Sequence, residues 1–236
     1  MEIYTPIVLL LISYFIGSIS FTRIIGRLVL PGEDLEATTA NLPDSDIEFS
    51  FKSVSATTLR VRAGSKYGIY ASLLDMLKAA IPILITQRLY GELAYSFLVS
   101  IGVILGHDFP IYYKFRGGRG VSSLWGSLIV MNWRAIPLTA IPSLLIGLFI
   151  IDDAFFAYLS APFYLIPWAL IYKGVSQWLV YSILVNIIYW FALFPEIREY
   201  LEFRKTDKYG EAKRLRHEKF DHRIKELRKS ILKILK

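Results

Sequence analysis

Four stretches of this 236-residue chain, residues 3–22, 135–151, 154–172 and 178–194, run for 17 to 20 residues without a single Asp, Glu, Lys or Arg. A helix rises about 1.5 Å per residue, so a run of that length covers most or all of a hydrocarbon layer roughly 30 Å thick. Backbone polar groups have no water to bond inside a bilayer, which leaves helices or closed barrels as the spanning forms. Three more apolar stretches, 68–86, 93–112 and 120–133, carry few or no charges. The expected fold is therefore an all-α polytopic membrane protein of about seven transmembrane helices. Residues 120–133 are short for a full crossing, so a broken or tilted element there, or one hairpin over 120–151, would leave five or six.

Composition agrees with this placement. Charged residues make up 20% and hydrophobic residues 54%, against about 25% charged in a soluble domain. The chain has no cysteine, which excludes disulfides, iron–sulfur clusters and cysteine zinc sites. Three histidines make a His-rich metal centre improbable. Glu2 and no Lys or Arg precede the first apolar run. The positive flank of a signal peptide is missing, and the run is expected to be retained as a span.

The net charge of +7 is concentrated at one end. Residues 195–236 hold fourteen Lys and Arg against eight Asp and Glu, six of the seven net charges. A basic segment beside a span favours anionic lipid headgroups, and no recognition motif for nucleic acid accompanies it. Within this tail Phe220, Ile224, Leu227, Ile231 and Leu235 recur at helical spacing, so an amphipathic surface helix is expected. His217 and His222 fall on its charged faces and are expected to be solvated. The chain divides into a membrane domain, 1–196, with a polar loop at 23–67, and a basic tail, 197–236. With the N-terminus outside, the inner loops carry nine Lys and Arg and the outer loops three. That asymmetry supports an outer N-terminus and a cytoplasmic C-terminus.

Chemistry is concentrated in a few segments. Gly106-His107-Asp108-Phe109-Pro110 is followed by Lys114-Phe115-Arg116-Gly117-Gly118-Arg119-Gly120-Val121 at the inner end of a span. Gly117, Gly118 and Gly120 let backbone N–H groups approach an anion, and Arg119 offers a fork to phosphate oxygens. A helix beginning near Gly120 would add its dipole. His107 stands beside this turn and can orient a phosphate or move a proton. Asp75 and Lys78 lie three apart within an apolar stretch, on one helical face. They form either a pair snorkelling at the inner end or a pair in contact with an anionic substrate. Ser53-Val54-Ser55-Ala56-Thr57-Thr58-Leu59-Arg60-Val61-Arg62 interleaves hydroxyls with arginines, a mixture that suits a phosphate or a diol. No internal repeat is visible, which argues against an inverted-repeat transporter.

In order along the chain, Gly17-Ser18-Ile19-Ser20-Phe21, Ser55-Ala56-Thr57-Thr58, Leu73-Leu74-Asp75-Met76-Leu77-Lys78, Gly106 to Pro110 and Lys114 to Val121 resemble the acyl-phosphate:glycerol-3-phosphate acyltransferase family of bacterial membrane enzymes. The resemblance covers about residues 10 to 125. It implies seven spans in the cell membrane and transfer of an acyl chain from acyl phosphate to the sn-1 hydroxyl of glycerol 3-phosphate, giving lysophosphatidate. It implies no metal or nucleotide cofactor, and membrane lipids and the two substrates as partners. On this reading Gly117, Gly118, Arg119 and Gly120 hold phosphate. Ser55, Thr57, Arg60, Arg62, Asp75 and Lys78 support the substrate, and His107 is the candidate for proton transfer.

The sequence also departs from the family pattern. Arg119 stands where the family has lysine, and Asp152-Asp153-Ala154-Phe155 replaces a serine-rich motif. A late His-Arg-x-Asn-Ile reads Phe194-Pro195-Glu196-Ile197. These departures leave room for a related protein that acts on another phosphorylated or polar acceptor or binds lipid without turnover, and Asp75 and Lys78 along a polar path would suit a small transporter or channel.

Overall fold

The computed structural model describes residues 4–36, 38–41, 48–51, 53–211, 213–215 and 217–218. Helices dominate: α1 (Tyr4–Gly17), α2 (Phe21–Val29), α3 (Ala56–Arg62), α4 (Ser65–Tyr90), α5 (Leu93–Asp108), α6 (Val121–Asn132), α7 (Ala135–Leu145), α8 (Ala154–Leu159), α9 (Leu165–Lys173) and α10 (Gln177–Arg204). The all-helical expectation needs one addition. Strands β1 (Thr38–Asn41) and β2 (Glu48–Phe51) pair antiparallel within the 23–67 loop, with Thr38 opposite Phe51. Short β-branched and aromatic runs at Thr38-Thr39 and Phe49-Ser50-Phe51 suit such a ribbon.

The distribution of polarity is that of a protein built for lipid. Ser96, Ser100, Ser123, Ser127, Ser143 and Ser182 are fully buried, while Leu11, Leu73, Leu77, Ile81, Ile85, Ile187 and Phe191 face outward. Small polar residues inside and large apolar ones outside are how helices associate when the surroundings are as apolar as leucine. Among the described residues, four helical stretches are long and apolar enough to cross a bilayer: Tyr4–Val29, Ser65–Tyr90, Leu93–Tyr113 and Gln177–Arg204.

Shorter pieces make up the other expected spans. Helix α6, at 12 residues, extends only about 18 Å, and α7 continues as a π-helical turn over Ile146–Ile150. Residues 154–172 do not form one helix. Helices α8 and α9 are separated by a 3-10 turn over Ala161–Tyr164, because Pro162 and Pro167 each lack the N–H that a continuous helix needs. The run 3–22 is likewise interrupted. Helix α1 stops at Gly17 and α2 restarts at Phe21, where the Ser20 hydroxyl accepts the Arg23 N–H at 3.3 Å. Helix α10 passes without a break through Pro195 and the expected 196/197 division. The proposed tail stripe from Phe220 onward, with His222, lies outside the described residues. His217 is not simply solvated: its Nε2 lies 3.0 Å from Asp152 Oδ2.

Two contacts set the relative positions of the elements that build the site. A side chain at Gly102 would strike Ser13 and the Leu10 carbonyl, and one at Gly106 would strike the Tyr14 carbonyl and the Ser18 nitrogen. The Gly-x-x-x-Gly face of α5 therefore lets α1 come within backbone distance, and Tyr14 donates to the Phe109 carbonyl at 2.8 Å. Nearer the start of α5, Phe97 stacks on Tyr181 at 4.6 Å and meets Trp178 edge-on at 4.9 Å. Ser100 and Tyr181 share a hydrogen bond of 2.7 Å. Docking α10 on α5 in this way carries its later turns toward the C-terminal end of α5.

Candidate active site

The ends of α1 and α5, the start of α6 and the turn over 109–120 converge at one end of the bundle. Asp75 and Lys78 approach them from α4. As their spacing requires, the two side chains pair, with Lys78 Nζ 2.8 Å from Asp75 Oδ1. They do not snorkel, because both are almost completely buried. The ammonium also donates to the Gly17 carbonyl at 3.0 Å and the Ile19 carbonyl at 2.8 Å, and it lies 2.9 Å from His107 Nδ1. Lys78 thus satisfies carbonyls freed where α1 ends, and its charge suits that negative helix end. The break in the first span and the lysine inside the bilayer are two parts of one arrangement.

His107 turns its Nδ1 toward Lys78 and Asp75, which leaves Nε2 on the other side of the ring. That nitrogen faces the glycine turn, where a side chain on Gly118 would collide with it. The Gly118 N–H donates to the His107 carbonyl at 3.1 Å, and the Gly117 carbonyl accepts from Val54 N–H at 3.1 Å. A side chain on Gly117 would strike the His107 and Asp108 carbonyls. These two glycines serve close packing of the turn onto the end of α5. The Gly118 N–H is engaged rather than open to an anion, which corrects the expectation of a simple anion nest. Gly120 has φ +64°, a left-handed conformation that favours glycine.

Arg119 turns inward. Its Nη1 lies 3.1 Å from Glu196 Oε2 of α10, and both side chains are buried. Its Nη2 reaches Ser55 Oγ at 3.5 Å. Glu196 was not among the residues singled out from the sequence, although an acid directly after a span is itself a signal. Asp108 is the second omission. It ends α5, is 3% exposed, and neither carboxylate oxygen has a hydrogen-bond partner among the described residues.

The remaining expected residues separate. Thr58, rather than Thr57, is buried, donating to the Ser53 carbonyl at 2.9 Å and accepting from Ser55 N–H at 3.2 Å. Thr57 is half-buried beside Ser55, and Arg60 is exposed. Arg62 pairs with Glu33. Neither arginine joins the buried cluster, because α3 directs them to the loop surface. A second ionic group lies on that surface. Glu36 bridges Arg23 at 3.0 Å and Arg116 at 2.9 Å, and Arg23 stacks over Tyr113 at 4.5 Å. The Arg116 hydrogen bond, with help from Arg23, holds the Glu36 carboxyl below its ordinary value of 4.5.

Asp153 caps α8 by accepting Phe156 N–H at 3.0 Å, and it also accepts from the hydroxyls of Tyr200 and Tyr209. Lys213 lies 2.6 Å from Asp152. Asp152 and Asp153 together fasten the segment after α10 to the bundle.

An apolar outer surface around buried ion pairs, closed at one end by a glycine-rich turn, defines a helical membrane protein with a polar centre at that end. Residues 7–202 match the family described as glycerol-3-phosphate acyltransferase. The chain belongs to that family.

Glycerol-3-phosphate acyltransferase 2 of Thermotoga maritima is 35% identical over 123 residues, covering 52% of this chain and 57% of its own length. The chain therefore spans little more than half of that relative. The glycerol-3-phosphate acyltransferase of Pseudomonas syringae pv. syringae is 31% identical over 178 residues, covering 75% of this chain and 85% of its own. The fold matches the crystal structure of PlsY (YgiH), an integral membrane glycerol 3-phosphate acyltransferase in its glycerol 3-phosphate form. The TM-score is 0.67 at 24% identity, over 85% of this chain and 94% of that one.

Proposed function

We propose that the protein transfers an acyl chain from acyl phosphate to the sn-1 hydroxyl of glycerol 3-phosphate, forming lysophosphatidate for phospholipid synthesis. The observation that carries this reading is the glycine turn folded against His107, with the Arg119 guanidinium turned inward from it. Arg119 is the cation for a phosphate group, and the exposed Arg60, Lys114 and Arg116 on the neighbouring loops raise the local concentration of anions. Gly117, Gly118 and Gly120 shape the turn, and Ser55 and Thr57 border its α3 side. Asp75 and Lys78 hold the His107 ring in place through its Nδ1. Positioning the hydroxyl against the acyl carbonyl, with electrostatic clamping of the phosphate, supplies most of the acceleration. The reaction needs no metal or nucleotide cofactor.

The protein acts in the cell membrane as a multi-pass protein. The positive-inside asymmetry supports an outer N-terminus and seven crossings, the shorter helices making up the count. The basic excess of the segment beyond α10 attracts it to the anionic headgroups of the cytoplasmic leaflet.

The test supplies purified protein with labelled glycerol 3-phosphate and, separately, acyl phosphate, acyl-CoA or acyl carrier protein. Lysophosphatidate from acyl phosphate alone is expected, and Arg119→Ala should lower kcat/KM by about 10²–10³-fold, in the range found for removal of one charge-stabilising group. Unchanged turnover in Arg119→Ala would remove the phosphate assignment.

A second reading has one observation in its favour. The buried cluster holds three acids, Asp75, Asp108 and Glu196, against two cations, Lys78 and Arg119. A less anionic hydroxyl acceptor suits that balance, and the same assay with unphosphorylated glycerol separates the two.

A further inference from the structure

Arg23, on the loop side of the molecule, is only 7% exposed, an unusual depth for a cation. Its guanidinium lies over the Tyr113 ring at 4.5 Å, and its Nη2 donates to Glu36 Oε1 at 3.0 Å. The other oxygen of the same carboxylate, Oε2, accepts from Arg116 Nη1 at 2.9 Å. One carboxylate is thus divided between two guanidinium groups, one oxygen to each. Arg23 Nη1 is buried and has no hydrogen-bond partner among the described residues. A buried donor left unmet is costly, and a contact made only to fasten a loop gives no reason to bear that cost.

The carboxylate sits on a short arm with weak attachments. After α2 the chain turns at Pro31-Gly32, and residues 33–36 return along the helix. Glu33 pairs with Arg62 of α3, Leu35 seats against Gly26 of α2, and Glu36 takes the two arginines. The Glu36 side chain is 36% exposed and that of Arg116 is 70% exposed, and ion pairs this open contribute little to stability. Arg23 is held differently, by its stacking on Tyr113 and by burial. Lifting the arm would therefore leave both cations facing solvent, with no internal cavity needed to reach them. Arg119, three residues beyond Arg116, turns inward to Glu196, so the outer pair is separate from the buried cluster.

We infer that Arg23 and Arg116 form a second anion site, for a terminal phosphate group, which Glu36 fills as an internal substitute. A terminal phosphate offers more acceptor oxygens than a carboxylate. Two of them take Arg23 Nη2 and Arg116 Nη1 as Glu36 does, and a third meets the unpaired Arg23 Nη1. Its charge of about −1.5 to −2 near neutrality also balances two guanidinium groups, which one carboxylate does not. Dissolved phosphate and a lipid headgroup ending in phosphate share this chemistry. Binding here goes beyond acyl transfer and does not require turnover.

The experiment titrates the full-length protein in detergent with inorganic phosphate and, separately, with phosphatidate bearing six-carbon chains. Affinity is read from the rise in thermal midpoint with ligand concentration. Glu36→Gln should bind at least about tenfold more tightly than wild type, the gain from removing a competitor that fills the site about nine-tenths of the time. Adding Arg116→Gln should return the affinity to within about twofold of wild type, because one arm of the fork is lost. Leu35→Ala keeps every charge and loosens only the arm. It should gain about threefold by the same competition, which keeps the test decisive if the glutamine form folds poorly. Arg119 is present in every variant, so binding at the buried cluster cancels from the comparison.

A larger gain for phosphatidate assigns the site to a lipid headgroup, and an equal or larger gain for inorganic phosphate assigns it to the dissolved ion. Affinity unchanged in both Glu36→Gln and Leu35→Ala, or a gain that survives Arg116→Gln, would overturn the site.

Discussion

At the scale of single residues, the site depends on neutralising charge where solvent is absent. Arg119 and Glu196 are both buried and lie 3.1 Å apart. Removing one member of such a pair leaves the other uncompensated, which typically costs about 3–5 kcal/mol, whereas replacing both with apolar residues of similar size can be neutral. Glu196→Leu should therefore lower thermal stability in detergent sharply, and adding Arg119→Met should restore most of the loss while leaving the protein inactive. A double variant as unstable as the single one would show that Glu196 holds the bundle together by some route other than Arg119.

At the scale of elements, loops are fastened to helix ends by ionic contacts that respond to pH. Glu36 joins α2, through Arg23, to the glycine turn, through Arg116. Its carboxyl is held below the ordinary 4.5, first by the Arg116 hydrogen bond. A group lowered on folding contributes stability that is complete above its unfolded value and disappears as the pH falls through its folded value. Wild type should thus be more stable than Glu36→Gln near neutrality, and the gap should close as the pH falls below 4.5. The side chain is partly exposed, so the gap is small and shrinks further in salt. Unfolding midpoints measured across that range check both the sign and the salt response.

At the scale of the whole molecule, the two surfaces of the bundle differ in charge. The chain has no cysteine, so a single cysteine at Lys173 or Arg116 reports its side of the membrane without a background. Under the proposed orientation, an impermeant thiol reagent added to sealed right-side-out vesicles should label the Lys173 site. The Arg116 site should react only after permeabilisation. The opposite result would invert the topology and place the glycine turn outside. Parallel docking of α1 and α10 on α5 requires these three helices to end on the same side, so the two labels test the bundle's arrangement and its direction together.

Much of this was legible in the residues themselves. Charge-free runs of 17 to 20 residues call for a bilayer. Asp75 and Lys78 had to share a face at their spacing. The glycine turn beside His107 stood out as a candidate because glycine and arginine combine there at the end of an apolar run. Hydropathy does not register a cap or a proline within a uniformly apolar run, so the breaks at Ser18–Ser20 and around Pro162 appear only in the structure. The local sequence also could not show what the glycines do or which acid meets Arg119. Glu196 lies 77 positions beyond Arg119, and only the packing of α10 on α5 through Phe97, Trp178 and Tyr181 brings them together. Sequence alone determined the solvent in which the chain folds, because burial of charge in hydrocarbon is disfavoured residue by residue. The tertiary structure decided which buried charges neutralise one another and which carboxylate is left without a partner, because ion pairing depends on distance in space and not along the chain.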